Sequence, residues 1–127
     1  MDILSADRIL AAVAEIEPLE LQHLLDLDDL GSAKQCLALI DVREPEEHSL
    51  VKLSGSTLIP LMDLESELDF LLEVSRSNEK LVVYCRSGQR SALAVRWLMA
   101  NGVANAFNLR GGINAYATEV DNSLEPY

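Results

Sequence analysis

Two apolar runs that end abruptly in polar residues constrain the fold of this chain most. Residues 37–40 meet charge at Asp41, and residues 81–84, rich in β-branched and aromatic side chains, lead into Cys85 and a polar turn. Continuous apolar runs of this length are typical of strands buried in a parallel sheet. Because helical patterns alternate with them, the sequence predicts an α/β domain with a mostly parallel central sheet and helices on both faces.

Length and hydropathy indicate one folded domain. The chain has 127 residues, enough for a single core but too few for two ordinary domains. We expect an N-terminal helical extension over residues 1–15 and one domain over residues 16–127. No apolar run approaches the ~20 residues of a membrane span. Asp2 and Asp7 interrupt the start of the chain, so a signal peptide is not expected.

The net charge and the cysteine content argue against several classes of partner and cofactor. The net charge of -11 disfavours direct binding to nucleic acid or to an anionic membrane, because phosphate contacts need clustered Lys and Arg. The two cysteines, Cys36 and Cys85, form neither a disulfide framework nor a paired zinc motif. These features predict a cytoplasmic protein without a metal or other cofactor. We expect Cys36 to be a packing residue.

Cys85 is the strongest candidate for chemistry. It lies between the end of the predicted strand 81–84 and a helical pattern that starts at Ser91. This position faces unpaired amide groups and the positive end of the helix dipole, which favour a thiolate over a thiol. The polar turn after it consists of Arg86, Ser87, Gly88, Gln89 and Arg90. Its arginines could bind an incoming anion. The alternative is that Cys85 is a small apolar residue ending a buried strand.

Asp41 and Arg43 are predicted to lie near this turn. If strands 37–41 and 81–84 are parallel neighbours, both residues share the carboxyl edge of the sheet with Cys85, where open α/β sheets bind ligands. They are candidate supporting residues, and a purely structural ion pair explains them equally well. A helix is expected to begin at Pro45, with His48 packing near the strand end.

The rest of the sequence predicts the helices and strands that flank the two central strands. The chain predicts an edge strand near Ile16, a helix from Pro18, a helix over residues 63–74, a strand over residues 104–109 and a helix over residues 113–120. The polar segment after this last helix is expected to lie on the domain surface.

Three motifs resemble the rhodanese-homology family of sulfurtransferases. They are Asp-Val-Arg at 41–43 followed by Pro-Glu-Glu at 45–47, the six-residue loop from Cys85 to Arg90, and Gly-Gly at 111–112 before a helix that contains Tyr116. The C-terminal domains of adenylyltransferase-sulfurtransferase fusion proteins are the most similar members. The resemblance implies that Cys85 carries a persulfide cradled by loop amides. It also implies a sulfane-sulfur donor and, as acceptor, a ubiquitin-like sulfur carrier protein or its activating enzyme.

The same fold leaves two alternatives open. It also hosts the cell-cycle dual-specificity phosphatases, whose loop is one residue longer and closes with an arginine six positions after the cysteine. Ser91 occupies that position here, so the spacing favours sulfur over phosphate. A phosphatase or arsenate-reductase-like enzyme is therefore the second reading. A non-catalytic binding module is the third, and the intact cysteine weighs against it.

Overall fold

The computed structural model describes residues 13–29 and 37–127, so Cys36 and most of the predicted N-terminal extension lie outside the described residues. The described strands are β1 (Glu15–Ile16), β2 (Leu37–Asp41), β3 (Thr57–Leu58), β4 (Lys80–Tyr84) and β5 (Ala106–Leu109). The helices are α1 (Pro18–Asp29), α2 (Pro45–Leu50), α3 (Leu68–Ser77), α4 (Gln89–Ala100) and α5 (Gly112–Glu119), with a 3-10 helix at Leu61–Asp63. Within these ranges, no helix has the length and apolar character needed to cross a membrane.

The strands form one parallel sheet in the order β1-β5-β4-β2-β3. β2 pairs with β4 from Leu37 beside Lys80 to Asp41 beside Tyr84. The two apolar runs are therefore adjacent parallel strands, as predicted, and both end at the same edge of the sheet. β1 and β3 lie at the sides of the sheet and have two residues each, so they present few unpaired backbone groups.

Helices cover both faces of this sheet, which confirms the predicted architecture. Alternate residues of β4 point to opposite sides because side chains in a strand have a period of two. One core cluster joins Leu81 and Val83 to Leu71 of α3 and to Ala94, Val95 and Leu98 of α4. The other joins Val82 and Tyr84 to Leu21 of α1 and to Ile113 and Tyr116 of α5.

The predicted helix over residues 63–74 differs from the structure, where α3 covers Leu68–Ser77. The backbone amides of Glu67 and Leu68 bond to carbonyls three residues back rather than four. The Ser66 hydroxyl donates to the carbonyl of Asp63 at 2.9 Å, so the side chain competes for a backbone acceptor. A tighter, irregular turn therefore replaces the first turns of the predicted α-helix.

Candidate active site

Cys85 follows β4 directly and lies before the N-terminus of α4, as predicted. Its side chain is buried, with 1% of the residue exposed. The sulfur accepts hydrogen bonds from the backbone amides of Gly88 at 3.1 Å and Ser91 at 3.4 Å. Because Ser91 is the third residue of α4, its amide is one of the donors that a helix leaves unpaired. The thiol therefore lies where an anion is stabilised.

Asn108 on β5 fixes the geometry of this loop. It is buried, donates to the carbonyl of Gly88 at 3.2 Å and accepts from the Ser91 hydroxyl at 2.5 Å. The same hydroxyl oxygen lies 3.3 Å from the Cys85 sulfur. A hydroxyl has one hydrogen, so Ser91 donates either to Asn108 or to the Cys85 sulfur at any one time.

The glycine pair at 111–112 holds the loop from the other side. At the start of α5, the amides of Ile113 and Asn114 donate to the carbonyls of Cys85 at 2.9 Å and Arg86 at 3.1 Å. A Cβ atom on Gly112 would clash with the carbonyl of Arg86, and Gly112 has a φ of +65°. This position therefore requires glycine because two backbone segments meet there.

Arg90 is neutralised by a carboxylate. Its guanidinium binds both carboxylate oxygens of Glu47, at 2.8 and 2.9 Å. Hydrogen bonds from Arg90 are the main reason that the pKa of Glu47 falls to about 2. The same carboxylate accepts from the Glu44 amide at 2.9 Å, which closes a capping box at the start of α2. The loop and α2 are thus joined by an ion pair.

Arg86 has different surroundings. Its side chain is exposed, and its guanidinium carbon lies 4.8 Å from the centre of the Tyr127 ring. Within the described part of the chain, Arg86 has no carboxylate partner. Of the two loop arginines, it therefore keeps a positive charge available to an anion at the site.

Asp41 and Arg43 form a fully buried ion pair, with both side chains 0% exposed. The Arg43 Nε and Nη2 atoms donate to the two Asp41 oxygens at 2.9 and 2.8 Å, and His48 Nδ1 lies 2.8 Å from Asp41. Burial raises the pKa of Asp41, but the hydrogen bonds from Arg43 and His48 outweigh it and hold that pKa below its usual range. Arg43 also donates to the carbonyl of Val51 at 2.6 Å. The pair therefore braces α2, the helix that carries Glu47.

Several residues of this arrangement were not predicted to contact the cysteine loop or the Asp41–Arg43 pair. They are Glu47, His48, Asn108 and Tyr127, together with the hydroxyl of Ser91. The predicted loop residues Ser87 and Gln89 are exposed. In the described part of the chain, no group of three or more His, Cys, Asp or Glu residues could hold a metal ion.

Comparison with known proteins identifies the family of the chain that forms this site. The family model described as "Rhodanese-like domain" matches residues 20–119. The chain belongs to the rhodanese-like family. A sulfurtransferase from Allochromatium vinosum is 33% identical to this rhodanese-like chain over 96 residues, which cover 76% of the chain and 79% of that protein. The resemblance predicted from the three motifs is confirmed.

Two further proteins are similar to this rhodanese-like chain. The probable adenylyltransferase/sulfurtransferase MoeZ of Mycobacterium tuberculosis is 35% identical over 112 residues, which cover 88% of this rhodanese-like chain. The chain spans only 26% of the length of that relative. The crystal structure of a rhodanese-like domain protein from Staphylococcus aureus superposes with a TM-score of 0.69 at 29% identity and covers 91% of this chain and 99% of that one.

Proposed function

We propose that this domain is a sulfurtransferase that carries sulfur as a persulfide on Cys85. The observation that carries the proposal is the convergence of the Gly88 and Ser91 amides on the Cys85 sulfur. These amides stabilise negative charge at the sulfur, which both the attacking thiolate and the terminal sulfur of a persulfide possess. Family membership supports the same chemistry.

The first half-reaction transfers one sulfur atom from an anionic donor such as thiosulfate. The Cys85 thiolate attacks the outer sulfur of the donor, a new S–S bond forms, and the donor S–S bond breaks. Sulfite leaves with the electron pair of that bond, so no further oxidant is needed. Arg86 binds the anionic donor, because its charge is not paired with a carboxylate in the described structure. Arg90 supports the loop through Glu47.

The second half-reaction returns Cys85 to its starting state. A nucleophilic acceptor such as cyanide or a small thiol attacks the outer sulfur, and Cys85 leaves as the thiolate. An S–S bond is ~2.05 Å long, so the sulfur that the acceptor attacks lies about that distance from the Cys85 sulfur.

Intact-mass spectrometry after incubation with thiosulfate tests the site. The wild type and Cys36→Ser should each gain one sulfur atom, whereas Cys85→Ser should gain none. An adduct that persists in Cys85→Ser would refute the assignment. Phosphate release from an aryl phosphate that requires Cys85, without any sulfur adduct, would instead support a phosphatase.

The acceptor that we propose is a small ubiquitin-like sulfur carrier protein. Similarity to MoeZ, named as a probable adenylyltransferase/sulfurtransferase, supports this choice. The persulfidated domain should be mixed with an adenylated carrier: the outer sulfur attacks the adenylated carbonyl, AMP leaves, and an acyl disulfide to Cys85 forms. A small thiol added afterwards reduces that disulfide, which frees Cys85 and leaves a thiocarboxylate on the carrier that is measured by mass. If the carrier stays unmodified while cyanide or a small thiol takes the sulfur efficiently, the domain is a general sulfurtransferase.

A further inference from the structure

Tyr127 contacts charged groups on two sides of the cysteine loop. Its hydroxyl donates to Glu47 Oε1 at 2.8 Å and accepts from Arg43 Nη1 at 2.8 Å. Its ring lies beneath the Arg86 guanidinium at 4.8 Å, with Arg43 at 5.5 Å from the ring centre. One side chain therefore connects the buried ion pair, the Glu47–Arg90 pair and the unpaired loop arginine.

The segment between α5 and Tyr127 makes contacts that place the Tyr127 side chain beside the cysteine loop. Asp121 accepts from the amide and hydroxyl of Ser123, which forms a turn after α5. Leu124 packs against the core cluster that contains Tyr84. The side-chain amide of Asn114 donates to the Tyr127 carbonyl at 3.4 Å. Asn122, Ser123, Glu125 and Pro126 are exposed, as expected of a surface segment, whereas the Tyr127 side chain is partly buried.

Tyr127 contacts Arg43 through both its hydroxyl and its ring, but it contacts Arg86 through the ring alone. A guanidinium over an aromatic face is attracted by the ring quadrupole, and this contact restricts the otherwise exposed Arg86 side chain. An arginine loses considerable rotamer freedom when it binds a ligand, so restricting it beforehand reduces that loss. The hydroxyl contributes to the separate Glu47–Arg90 pair and leaves Arg86 without a hydrogen bond from Tyr127.

We propose that Tyr127 is a positioning residue for donor binding: its ring holds Arg86 ready for the anionic group of the sulfur donor. The inference rests on the proposed function for its physiological meaning, but its physical content concerns any small anion that reaches Cys85. A ring without the hydroxyl should preserve the effect on Arg86. An aliphatic side chain should lose it.

Alkylation of Cys85 by two reagents of similar size tests this inference without requiring sulfur transfer. In a Cys36→Ser background, the rate with anionic iodoacetate is divided by the rate with neutral iodoacetamide. A surface cation–π contact corresponds to roughly a two- to five-fold change, so Tyr127→Leu should lower the ratio by about that factor. Tyr127→Phe should keep the wild-type ratio, and so should the tail control Glu125→Gln.

A mutant cycle with Arg86→Gln separates positioning from general damage. If Tyr127 acts through Arg86, Tyr127→Leu should have no further effect on the ratio once Arg86 is replaced. An unchanged ratio in Tyr127→Leu, equal losses in Tyr127→Leu and Tyr127→Phe, or additive effects with Arg86→Gln would each overturn the inference. In the thiosulfate assay, Tyr127→Leu should raise KM by a similar factor with kcat unchanged. Failure of the wild type to form a persulfide would refute the proposed function alone, because the alkylation ratio is measured independently.

Discussion

Replacing Asp41 by Asn distinguishes a structural ion pair from a chemical role for Asp41 and Arg43. Asp41 accepts from the Arg43 amide at 3.0 Å and Nε at 2.9 Å through Oδ1, and from Arg43 Nη2 at 2.8 Å through Oδ2, which also lies 2.8 Å from His48. An asparagine can keep the bonds at Oδ1, and its amide nitrogen can donate to His48 Nδ1 in the other imidazole tautomer, but it loses the bond from Arg43 Nη2. It also leaves the buried Arg43 without a counter-charge.

The expected loss of stability is large. Each hydrogen bond to a charged group contributes ~1.5–3 kcal/mol, and removal of one partner of a buried ion pair costs about 3–5 kcal/mol. Because both side chains are 0% exposed, solvent screening does not reduce this cost. A domain of this size loses roughly 4 °C in Tm per kcal/mol, so Asp41→Asn should lower Tm by about 10–20 °C.

Urea unfolding and thermal melting at neutral pH measure the effect. Glu119→Gln is the matched control, since it removes an ion pair with Arg110 whose side chains are 38% and 40% exposed. Its cost should stay below about 1 kcal/mol. An Asp41→Asn variant within about 1 kcal/mol of wild type would refute the reasoning. Normal persulfide formation well below the lowered Tm would identify the pair as structural, whereas lost formation in the folded variant would indicate a supporting role in chemistry.

Three further substitutions test the loop and its surroundings. The pKa of Glu47 is about 2 against a usual 4.5, so the ionised carboxylate stabilises the folded domain fully above about pH 4.5, and this stabilisation is lost as the pH falls towards 2. The melting temperatures of Glu47→Gln and wild type should therefore converge between pH 4.5 and 2, and a constant difference would contradict the ion pair. Gly112→Ala should destabilise the domain more than Gly55→Ala, because both positions have positive φ but only Gly112 faces backbone atoms; equal unfolding free energies would contradict this contact. Ser91→Ala should cost about 1–3 kcal/mol in urea unfolding, since it leaves the buried Asn108 oxygen without its donor; an unchanged midpoint would show that water or another group replaces the hydroxyl.

The central architecture and the position of Cys85 could be predicted because their signals are local. Residues 37–40 and 81–84 are continuous apolar runs, and a polar turn between a strand and a helix can hardly lie elsewhere than at the sheet edge. The β2–β4 pairing then places Asp41 beside Tyr84. These inferences need only strand periodicity and the geometry of parallel sheets.

The pairings around the loop could not be predicted in the same way. Glu47 has the sequence signature of a first-turn helix acid, and that pattern contains no sign of Arg90, 43 positions away. Tyr127 reaches Glu47 across 80 positions through a polar segment that has no secondary-structure periodicity. Asn108 lies within a strand, and its amide meets Ser91 only because β5 pairs with β4. Side-chain partners of this kind depend on tertiary placement.

The position of β1 has a consequence for how the chain folds. β1 pairs with β5, where Glu15 lies beside Asn108 and Ile16 beside Leu109, so the earliest described strand bonds to the latest one. Such a long-range parallel pair forms late in folding, because closing the long loop between the two strands costs entropy before their contacts can stabilise the fold. During synthesis β1 stays without its partner strand until β5 has emerged. In refolding, pulse-labelling hydrogen exchange should show the amides of Asn108 and Arg110, which bond to Ala14 and Ile16, protected last.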